Sequence, residues 1–129
     1  MEIQIDDIPA MYVVSPHGPQ QARAAFHKLE SAINWQLNGR KFYGTMFNGH
    51  YRANLAIIDK HEPEKFGFPI WTIPGGKYFR EKINDWEKHV NQIAPKFEEM
   101  MSKVELDPTR PAIEFYRSQA ELYLLVPIK

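Results

Sequence analysis

The sequence predicts an α+β domain: two copies of a β-α-β-β unit forming an antiparallel sheet, with two helices on one face. Three observations predict it. Strand-like and helix-like stretches follow the order strand, helix, strand, strand, and then run through that order again. The halves share wording, with Ile8-Pro9-Ala10 and Tyr12 set against Ile73-Pro74-Gly75 and Tyr78, and Leu55-Ala56-Ile57-Ile58 against Leu124-Leu125-Val126-Pro127-Ile128. The period, about 66 residues in two copies, is too long for a solenoid. A chain of 129 residues fills one hydrophobic core, so a single domain is expected, with repeat one at about 1–66 and repeat two at about 67–129.

Each element has its own signal. Residues 8–14 form the first apolar run and read as a strand, ended by the turn Ser15-Pro16-His17-Gly18-Pro19. Ala22, Phe26, Leu29 and Ile33 then recur at helical spacing, and Asn38-Gly39 supplies a stop. Residues 41–47 and 51–59 are β-rich and flank Asn48-Gly49, the strongest short hairpin signal. The polar stretch 60–67 reads as a surface connection, and 68–83 as a longer strand interrupted by Pro74-Gly75-Gly76. Asn84 with Glu87 three residues on has capping-box spacing, and Trp86, Val90, Ile93, Phe97, Met101 and Val104 make one apolar stripe. Pro95 inside that stripe predicts a kink or a division of the helix. Residues 111–117 and 121–128 close the chain as two strands joined through Ser118-Gln119. A sheet covered on one face by both helices buries both stripes.

Composition narrows the function classes. Lys plus Arg and Asp plus Glu each number 16, so the basic excess expected of a phosphate-binding surface is missing and no direct nucleic acid binding is expected. With no cysteine there are no disulfides or thiolate metal sites. The acidic start MEIQIDDIPA does not read as a signal peptide, and no run approaches the ~20 apolar residues of a membrane span, so a cytoplasmic protein is expected. His17, His27, His50, His61 and His89 show no ligand spacing, Pro74-Gly75-Gly76-Lys77 lacks P-loop spacing, and no serine sits in a nucleophile elbow. Neither a metal nor a cofactor is implied.

What stands out is a carboxylate among aromatics. Glu114 lies between Ile113 and Phe115 and is followed by Tyr116. With a period of two, Ala112, Glu114 and Tyr116 share one face and Ile113 and Phe115 the other. If the latter pair meets the helices, Glu114 lies on the open face. The alternative is an outward-facing glutamate paired with Arg110 or Arg117. Aromatic residues make up 13% of the chain, and Tyr12, Phe42, Tyr51, Trp71, Tyr116 and Tyr123 are the candidates for a pocket wall that holds a cation. Phe26, Trp86 and Phe97 read as core, and Trp35, which falls off the apolar stripe of its helix, as packing under the Asn38-Gly39 turn, covering the cleft edge or meeting a partner.

The pattern resembles the gyrase-inhibitor-like (GyrI-like) effector-binding family, the multidrug-binding domain of bacterial regulators of the AraC and MerR types. The matching residues are the Ile-Pro-x entries at Ile8 and Ile73, Gly75-Gly76-Lys77-Tyr78, Trp86, and Arg110-Pro111-Ala112-Ile113-Glu114-Phe115-Tyr116 with the final strand. Many relatives carry a helix-turn-helix on the same chain. Here no residues are left over for one, so a stand-alone form is expected. The resemblance implies a cleft between the repeats for small amphipathic, cationic aromatic compounds, with Glu114 as counter-ion and a small organic molecule as partner. It also implies two alternatives. One is a hydrolase of reactive electrophiles using Glu114 as general base, with Tyr116 or Tyr123 as donor. The other is an inhibitor that acts on a protein partner.

Overall fold

The computed structural model describes residues 1–129. Its centre is built from two hairpins. Strands β3 (Phe42–Phe47) and β4 (His50–Ala56) are joined by Asn48 and Gly49, with φ of 51° and 77°, the left-handed pair that a two-residue hairpin turn requires. Strands β7 (Ala112–Tyr116) and β8 (Glu121–Pro127) form the second hairpin, and β3 pairs with β7 to join the two. Outward from β4 lie β2 (Ile8–Ser15) and then β5 (Ile70–Ile73); outward from β8 lie β6 (Gly76–Asn84) and then β1 (Glu2–Ile5). The order is β1-β6-β8-β7-β3-β4-β2-β5, antiparallel throughout. Exchanging β1 with β5, β2 with β6, β3 with β7 and β4 with β8 turns this order back onto itself, as a duplicated unit demands.

The outer strands depart from the sequence reading. Residues 68–83 are not one interrupted strand. They are β5 and β6, which sit near opposite margins of the sheet, and β1 had no counterpart in the reading. Only Asp6-Asp7 separates β1 from β2, and only Pro74-Gly75 separates β5 from β6. Links that short join distant positions because the sheet curls into a half-barrel and brings its margins together. The links touch where they cross: the Gly75 amide donates to Asp7 Oδ1 at 2.7 Å, and a Cβ at Gly75 would stand 2.5 Å from the Ile5 carbonyl oxygen. Glycine is required there by the close approach of backbone to backbone.

Helix α1 (Ala22–Ala32) follows a 3-10 turn at Pro19–Gln21 and ends earlier than Asn38-Gly39, because Asn34 and Trp35 take φ of 54° and 58°. A short helix α2 (Glu62–Phe66) replaces the expected surface connection, anchored by a two-pronged Arg40–Glu62 ion pair at 2.6 and 3.3 Å. The capping box at Asn84 does not form. Asn84 ends β6, two 3-10 turns follow (Trp86–Lys88 and Val90–Gln92), and helix α3 runs from Ile93 to Ser102. Pro95 therefore sits in the first helical turn, where its missing N–H breaks no helical hydrogen bond.

Both long helices pack on one face, α1 on Met11, Ala53 and Leu55, and α3 on Leu122, Leu124 and Val126. The concave face holds its own core of Ala10, Tyr43, Ile73, Tyr78, Ile113 and Leu125. Trp35 does not pack under its turn; it is 54% exposed, with its ring edge-on to His27. No helix is long and apolar enough to cross a membrane.

Candidate functional site

The seam between the halves is the β3–β7 pair, and it lies beneath the gap between α1 and α3. Across it, Ala53, Gly44, Glu114 and Leu124 occupy consecutive cross-strand positions and so share a face. Ala53 packs under α1 and Leu124 under α3, which puts Glu114 on the helix-covered face. The condition under which the sequence reading set Glu114 on the open face, with Ile113 and Phe115 toward the helices, is not met. Those two belong to the concave core.

Glu114 is 6% exposed, and two phenols converge on it. Tyr51, itself buried on β4, donates to Glu114 Oε1 at 2.5 Å, and Tyr116 donates to the same oxygen at 2.8 Å. No protein donor reaches Oε2, which retains some contact with solvent. No cation pairs with the carboxylate: Arg110 bonds Asp107, and Arg117 lies by Glu121, so the outward-facing alternative does not hold. Burial raises the Glu114 pKa above the ordinary glutamate value, and the two phenolic donors offset only part of that rise. Burial and the neighbouring carboxylate push both Tyr51 and Tyr116 upward, so both phenols keep their protons.

Rings from both halves close the site. Tyr116 stands between Phe26 of α1 at 5.3 Å and Trp86 of the first 3-10 turn at 5.0 Å, both edge-on, and Phe26 also meets Phe42 at 6.4 Å. Gly44 completes the floor. A Cβ there would collide with the Tyr51 hydroxyl and with Glu114 Oε1, so the hydrogen bond between them occupies the space of the missing side chain. Sequence reasoning passed over Gly44, since its role comes from the register that sets it opposite Glu114.

Of the seven candidate residues, Glu114, Tyr116, Tyr51 and Phe42 come together here. Tyr12, Trp71 and Tyr123 do not. They face the concave side, where the Arg52 guanidinium lies over Tyr12 and Trp71 at 4.4 and 4.5 Å and Arg80 lies over Tyr123 at 4.7 Å. Trp71 Nε1 donates to the side-chain oxygen of fully buried Asn54 at 2.7 Å, a structural role. Phe26 and Trp86, read from the sequence as plain core, are the additions to the site.

Two open cavities lie elsewhere, one of about 560 Å³ along the start of α3 and one of about 260 Å³ beside Lys41 and Tyr43. At the Glu114 site, Tyr116 stands between the two flanking rings. An ionised carboxylate in such a place costs several kcal/mol unless a cation faces it. The arrangement can therefore receive an organic cation, hold a proton, or act as a general base through Oε2.

No family model matches the chain, and no curated protein matches it. Solved structures share its fold over 100% of its length. They include an integron cassette protein from the mobile metagenome of Vibrio cholerae, with a TM-score of 0.71, 12% identity and 95% of that chain covered. SAV2435, solved bound to tetraphenylphosphonium, has a TM-score of 0.67 and 14% identity over 93% of its chain. A transcription-regulation candidate from Staphylococcus aureus MU50 has a TM-score of 0.61 and 13% identity over 97% of its chain. At these identities the likeness is one of fold.

Proposed function

We propose that this chain is a GyrI-like effector-binding domain that takes small amphipathic cations bearing aromatic groups into the cleft between α1 and α3. The observation that carries the reading is Glu114: a carboxylate 6% exposed, held by two phenols, with no protein cation as partner. Tyr51, Tyr116, Phe42, Phe26 and Trp86 supply the aromatic wall, each ring contact with a cation being worth about 0.5–2 kcal/mol. Tetraphenylphosphonium in the SAV2435 structure supports this ligand class. Entry moves Trp86 outward. Its ring is tethered to the second half by an exposed hydrogen bond from Nε1 to the Ser118 carbonyl oxygen at 3.0 Å, which water readily replaces. In the cell such a domain sequesters a toxic compound or senses it for a separate regulator.

The test is a titration with tetraphenylphosphonium and an uncharged triphenyl analogue, followed by Trp fluorescence, on wild type and Glu114→Gln. The reading expects saturable binding of the cation, weak binding of the neutral analogue, and at least about tenfold loss of cation affinity in the variant, roughly 1.4 kcal/mol. Equal binding of both compounds, or no loss in Glu114→Gln, refutes it. Oε2, which no protein donor reaches, favours one second reading, hydrolysis of an electrophile by general-base catalysis. It predicts product formation that ceases in Glu114→Gln.

A further inference from the structure

We infer that an organic cation entering this cleft exchanges with a proton: the empty site holds Glu114 as a neutral carboxylic acid, and binding releases that proton to solvent. The inference rests on the proposed cation site and adds its coupling to pH. The geometry favours the neutral acid. Both phenols end on Oε1, the pattern of a carbonyl oxygen using its two lone pairs, and Oε2 is left free of donors, as the hydroxyl oxygen of a protonated carboxyl is. Oε2 also keeps contact with solvent, which gives the proton an exit.

The surroundings offer nothing else to titrate. From β4 and β7 the neighbours are Tyr51 and Tyr116; β3 and β8 present Gly44 and Leu124; α1 and the turn before α3 present Phe26 and Trp86. Only the two phenols act on the Glu114 carboxyl besides burial, and both keep their protons. One group exchanges one proton. On binding, the O–H bond at Oε2 breaks, its electron pair stays on the carboxylate to face the cation, and the proton passes to a buffer base.

Ligand class follows from this balance. A permanent cation, or an amine already protonated in solution, expels one proton. An aromatic amine that is uncharged in solution takes the Glu114 proton inside the cleft and releases none. Affinity for a permanent cation therefore falls by about tenfold per pH unit on the acid side of the Glu114 pKa and levels off above it.

Calorimetric titration of wild type with tetraphenylphosphonium, at matched pH in acetate and in MES through the acid range and in phosphate and HEPES above it, measures the proton count, because the buffers of each pair differ in ionisation heat. The expected result is a buffer-dependent heat approaching one proton released in the acid range and fading as pH rises. Tyr51→Phe, which removes one donor to the anion, should carry the release to higher pH. Saturable cation binding whose heat is independent of buffer at every pH overturns the exchange and leaves the cation site standing. An absence of cation binding overturns both.

Discussion

Gly44 and Glu114 face each other across the β3–β7 seam, and the side chain that Gly44 lacks is the volume in which the Glu114 carboxylate meets the Tyr51 hydroxyl. Gly44→Ala should displace that hydrogen bond. The expected cost is about 1–3 kcal/mol of stability from overpacking, together with weakened cation binding. Urea unfolding and the tetraphenylphosphonium titration measure the two effects; an unperturbed Gly44→Ala protein would mean that the seam is looser than its geometry indicates.

The buried carboxyl also sets a pH dependence on folding. Because the Glu114 pKa lies above its unfolded value, the folded state keeps a proton that the unfolded chain has released over the interval between the two. Stability of the empty protein should therefore fall as pH rises through that interval and flatten above it. Glu114→Gln should lose this slope in thermal melts. Asp107 acts in the opposite window: Thr109, followed by Arg110, holds its pKa down to about 2, so its contribution is present above the ordinary aspartate value and is lost as pH falls through about 2.

Trp71 separates the two faces experimentally. Trp71→Phe leaves the buried side-chain oxygen of Asn54 without its donor, which should cost about 1–3 kcal/mol. Cation affinity should stay as in wild type, since Trp71 lies on the concave face. A Trp71→Phe protein that is stable but no longer binds cations would relocate the site.

Arg40 and Glu62 fasten α2 to the loop before β3, with side chains only 6% and 11% exposed. Burial works to raise the Glu62 pKa, but the Arg40 guanidinium and the Ile58 and Asp59 amides outweigh it, and the carboxyl is held below its ordinary value. Arg40→Ala should cost about 1–3 kcal/mol in chemical denaturation, between the values for exposed and fully buried pairs. Arg40→Met combined with Glu62→Leu should recover most of it.

Much of this architecture was legible in the sequence, and the misses have physical causes. Asn48-Gly49, the stripe from Ala22 to Ile33, and the final hairpin around Glu114 carry strong local signals, and each formed. The direction in which Glu114 points was not legible. A period of two fixes which residues share a face, and here both sets are apolar enough to be buried. Only pairing with Ala53 and Leu124, long-range facts, decides between them. The same limit hid Gly44. Pro74-Gly75 was visible as an interruption, but nothing local shows that the chain crosses there from one margin of the sheet to the other.

That crossing has a consequence for assembly. Strand β1 completes the sheet of the second half, and β5 completes that of the first. Neither half severed at the middle would own its outermost strand, and each would expose an unpaired strand edge that invites another chain. A solitary copy of the unit could satisfy itself only by trading that strand with a twin, so the chain is in effect a swapped dimer written as one polypeptide. Its two halves should be recoverable from separate genes only when both are expressed together.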